Sequence, residues 1–127
     1  MKKTILALVA SSTLMMASNT TITATMSLMS QGLNQVQTGL MYHNQDDINN
    51  GIAVLENANS IFSKVDVSKF IRHNNKIQVT KNINAGLEKS LIQLKKDVVT
   101  NRVDDITKSY ASVMTKCLAC HATVRGW

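Results

Sequence analysis

The chain is 127 residues long, with 14 Lys and Arg against 8 Asp and Glu, a net charge of +6, two cysteines, five glycines and no proline. That length holds one small domain. Past Lys2 and Lys3 the basic residues are spread from Lys64 to Arg125 rather than massed in one stripe, which argues against nucleic acid as a partner.

The first 24 residues have the layout of a secretory signal peptide. Lys2 and Lys3 form the charged start, residues 5–16 an apolar run, and a polar, mostly small-residue stretch leads to Ala24. Cleavage is expected after Ala24, with Ala17 as the competing position. The apolar run falls short of the about 20 residues that span a bilayer. The expectation is therefore an exported, periplasmic domain over residues 25–127, not an integral membrane protein.

With no proline, few glycines and no alternating strand pattern, that domain is expected to be all-α. Met26, Met29, Leu33, Val36 and Leu40 recur at three and four residue intervals, one apolar stripe over about residues 25–43. A second stripe runs Ile48, Ile52, Leu55, Ala58, Phe62, with Asp46 and Asp47 where a helix N-terminus favours carboxylates. After the connection SKVDVSKFIRH, Ile83, Leu87, Leu91, Leu94 and Val98 mark a third helix from about Asn74 to Val99. The fourth takes Asn101 as its N-cap and continues Val103, Ile106, Tyr110, Val113, Cys117, Cys120, Val124. Short, medium and short connections predict an up-down-up-down antiparallel four-helix bundle. Its last helix would end beside the start of helix one, the end of helix two and the start of helix three.

Residues 117–121 read CLACH and hold both cysteines. C-x-x-C-H is the attachment signature of haem c, one per chain here, with Cys117 and Cys120 bonded to the porphyrin vinyls and His121 ligating the iron. On a helix the three stand at i, i+3 and i+4 and share a face. A Cys117–Cys120 disulfide or a thioredoxin-like dithiol leaves His121 unused, and the redox motif belongs beside a βαβ pattern that is absent. Zinc would need further ligands, and no second cysteine pair exists. Arg125, four beyond His121 on the same face, is a candidate for a haem propionate or, alternatively, a cation answering the helix dipole. Tyr110, two turns before Cys117, is expected in the core.

No methionine or histidine follows His121, so a second axial ligand has to come from upstream. Met114 lies on the haem-bearing helix and cannot reach the opposite face. Met41 and His43 end helix one, roughly 18 to 21 Å from Met29 at about 1.5 Å per residue. The remaining choices are Met29, then Met26, then His73 before helix three, or no protein ligand. Thioether opposite histidine raises the haem potential and suits electron transfer, whereas an open face suits gas binding.

With its haem motif at the end of the last of four helices, the chain resembles the cytochrome c′ family and its six-coordinate, Met-ligated relatives. The specific part is CLACHATVR, where Arg125 matches the family's basic residue four after the haem histidine, together with a methionine near the mature N-terminus, Met29 or Met26. The resemblance implies an electron carrier that exchanges electrons with exported or membrane-bound redox proteins, and no acid/base or nucleophile constellation accompanies the motif to suggest an enzyme. Its alternative is a five-coordinate protein that binds NO or CO. It also implies that helix one could pair with its copy in a homodimer.

Overall fold

A computed structural model describes the backbone of residues 2–126 and the side chains of residues 20–126. The side chains of the expected leader's apolar run, and Trp127, lie outside the described residues. The described chain is helical, with α1 over Lys2–Tyr42, α2 over Gln45–Ser63, α3 over Asn74–Thr100 and α4 over Val103–Arg125. One 3-10 turn, Val67–Lys69, interrupts the connection from α2 to α3.

Two boundaries differ from expectation. α1 starts at Lys2 and passes Ala24 unbroken, because no glycine precedes Gly32 and the chain has no proline to stop the helix. Asn101 is not the N-cap of α4. It closes α3 in left-handed backbone (φ 55°, ψ 30°), a conformation asparagine tolerates, and its N–H donates to the Val98 carbonyl at 3.2 Å. α4 instead begins after Arg102, whose side chain caps nothing but pairs with Asp105 at 2.8 Å.

The other turns follow from local chemistry. His43 ends α1 with φ 52°, and the Asn44 N–H returns to the Gly39 carbonyl at 2.8 Å, the six-to-one bond of a Schellman end. Asn44 then caps α2, its Oδ1 accepting from the N–H groups of Asp46 and Asp47 at 3.1 and 3.2 Å.

Successive helices are neighbours whose facing residues run in opposite order. Gly39 faces Ile48 and Gly32 faces Leu55 between α1 and α2. Ser90 meets Ser112 at 2.8 Å and Gly86 faces Lys116 between α3 and α4. All four helices feed one core, in which Val36, Ile52, Leu55, Leu91, Leu94, Val98 and Val113 are almost wholly buried. A smaller cluster of Phe62, Val67 and Ile71 folds the α2–α3 connection against Met26 and Met29. No helix among the described residues is long and apolar enough to cross a membrane.

The α1–α2 seam depends on missing side chains. A Cβ at Gly51 would stand 2.7 Å from both Val36 Cγ2 and the Val36 backbone N, so the two helix backbones touch there. Alanine at a helix interior normally gains about 1 kcal/mol over glycine. At Gly51 overpacking, typically about 1–3 kcal/mol, exceeds that gain. Gly51→Ala should therefore lower the urea midpoint without changing the slope, and a stabilised variant would contradict this packing.

Candidate functional site

The C-terminal third of α4 carries CLACH because a helical stripe ending in Val113, Cys117 and Cys120 holds its face toward the bundle. That face opens on a cavity of about 280 Å³ to which every helix contributes. α4 supplies Met114, Lys116, Cys117, Leu118, Cys120 and His121. α1 supplies Met26, Met29, Ser30 and Leu33, while α2 and α3 supply Asn59, Phe62, Ile83, Asn84 and Leu87. The walls are mostly apolar and contain no carboxylate.

The two thiols are free and half-buried. Burial pushes the Cys117 thiol above its ordinary pKa, with a further push from Cys120, and burial alone raises Cys120. Dithiol oxidoreductases depend on the reverse, a thiol depressed by a helix N-terminus or a cation. Here the pair sits near a helix C-terminus, where the dipole disfavours a thiolate. Both thiols face an apolar space from the last turns of α4.

No family model, curated protein or solved structure matches the chain. Among the described residues no three His, Cys, Asp or Glu side chains gather into a metal site of their own. Two thiols and an imidazole on the wall of an apolar cleft fit a flat, largely apolar porphyrin, which Cys117, Cys120 and His121 would hold.

Of the residues singled out from sequence, Cys117, Cys120, His121, Met26 and Met29 line this one cavity. Arg125 and His73 do not. Arg125 is exposed in the last turn of α4, and His73 is exposed at the N-cap of α3. Met41, 75% exposed, and His43 border a second cavity with Val103 and Ile106 and stand away from the first. Tyr110 packs on the core, where burial raises its hydroxyl pKa, with Cys117 adding to the shift.

Of the polar wall residues, Asn59, Asn84 and Lys116 make contacts between helices that escaped the sequence reading. Asn59, 5% exposed, accepts from Asn84 Nδ2 at 2.5 Å and donates to the Asn84 carbonyl at 3.4 Å, pinning α2 to α3 beside the cavity. Its signal in the sequence was a polar residue three before Phe62, on the flank of an apolar stripe. The third, Lys116, announces itself only through its tertiary contact with α3.

Proposed function

We propose that this chain is an exported monohaem c-type cytochrome acting as an electron carrier, folded as an up-down-up-down bundle that resembles cytochrome c′. The single observation that supports it is the meeting of Cys117, Cys120 and His121 from α4 with Met26 and Met29 from α1 around one apolar cavity. When bound, haem c supplies a one-electron Fe(III)/Fe(II) couple. Cys117 and Cys120 would hold it by thioethers, His121 would ligate the iron, and Met29, or alternatively Met26, would face it from α1. Arg125, beyond the wall, is the proposed partner of a haem carboxylate. The apolar walls would limit the solvent reorganisation that accompanies a charge change. Residues 1–24 would direct export to the periplasm, where redox proteins, soluble or membrane-bound, exchange electrons with the carrier.

An absorption spectrum of the oxidised and reduced protein, purified from the exported fraction, tests this. The expected result is a Soret band that survives acid-acetone extraction and a low-spin ferric form that does not take up CO on reduction. A high-spin ferric form with rapid CO binding would sink the carrier and leave the NO- or CO-binding alternative. No Soret band would sink both.

A further inference from the structure

Lys116 is the one lysine or arginine on the cavity wall. Its stem folds across α3 at Gly86, where an added Cβ would meet Cε at 3.1 Å and both Cδ and Nζ at 3.4 Å. Glycine in a helix interior costs about 1 kcal/mol relative to alanine, so bare backbone at this position is unfavourable unless its space is used. Here the lysine stem occupies it. The ammonium makes no ion pair with any described carboxylate, since the described pairs are Lys95–Glu56 and Arg102–Asp105. The wall itself offers no Asp or Glu. A positive charge is therefore held at the edge of an apolar space without a protein counter-charge.

We infer that Lys116, seated on Gly86, is a positioning charge that raises the reduction potential of the cofactor proposed above, on which reading this inference rests. The ammonium shares a cavity with His121, and an iron ligated there carries one more positive charge when oxidised than when reduced. Coulomb repulsion disfavours the oxidised state, and apolar walls weaken the screening that water would provide. Because Lys116 is half-exposed, part of that effect is lost to solvent and salt.

Potentiometric titration of the holoprotein at low ionic strength tests the inference. Lys116→Gln should reduce the equilibrium constant for reduction about threefold, about 28 mV at about 59 mV per tenfold for one electron. Lys116→Arg, which keeps the charge, should restore the wild-type value. Gly86→Ala keeps the lysine but crowds its seat, so its potential should fall by a smaller factor while its melting temperature does not fall. Raised salt should shrink the difference between wild type and Lys116→Gln. An unchanged potential in Lys116→Gln, with covalent haem fully loaded, overturns the role of Lys116 and leaves the carrier standing. A wild-type protein without covalent haem instead overturns the carrier reading.

Discussion

Replacing both Cys117 and Cys120 by alanine should abolish covalent haem, and with it much of the stability of the cavity end of the bundle. Each single variant should retain at most one thioether. Haem staining after acid-acetone extraction reads the first effect, and a thermal melt by circular dichroism reads the second. The stability argument follows from where the cavity lies. Its walls come from all four helices, so a group held there would bridge Met29 on α1 and Cys117 on α4. A group bonded to α4 and packed on Met26 and Met29 of α1 and Phe62 of α2 would bury apolar surface from several helices at about 25 cal/mol per Å². A few kcal/mol from such burial is a large share of the stability of a small domain. The main core around Leu55, Leu91, Leu94 and Val113 would persist, so the double variant should keep helical signal but melt earlier and less cooperatively. Full, extraction-resistant haem in the double variant would remove the basis for the thioether reading.

Helical periodicity made α2, α3 and α4 legible to within a residue or two, because each carries its own apolar stripe. The convergence of Met26 and Met29 on the cavity that holds CLACH was legible for the same reason, once short connections set the order of neighbours. Asn101 was misread because asparagine serves both ends of helices. Only the backbone, left-handed at φ 55°, decides which end it takes. Lys116 and Asn84 were missed for a different reason. Their roles arise from contacts between helices, Gly86 against the lysine stem and Asn84 against Asn59, and no single-helix pattern encodes them. The close α1–α2 approach at Gly51 belongs to the same class.

Which methionine would face the proposed iron is decided by separating sulfur from volume. Met29 packs against both the main core and the Phe62 cluster, whereas Met26 packs only against the latter. An alanine variant would mix ligand loss with the cost of a cavity, about 2–5 kcal/mol for a fully buried methionine. Leucine keeps the volume at a cost usually below about 1.5 kcal/mol and removes only the thioether. Met29→Leu should therefore abolish the weak far-red charge-transfer band of the ferric form and lower the potential, with little change in melting temperature. Met26→Leu should keep the band, as should Met41→Leu, whose side chain is 75% exposed beside the other cavity. If Met26→Leu removes the band and Met29→Leu does not, the ligand lies one turn earlier on α1, about 4.5 Å along its axis. Silence from both variants, together with a high-spin wild-type protein, would make the two methionines packing residues and move the function to ligand binding at an open iron face.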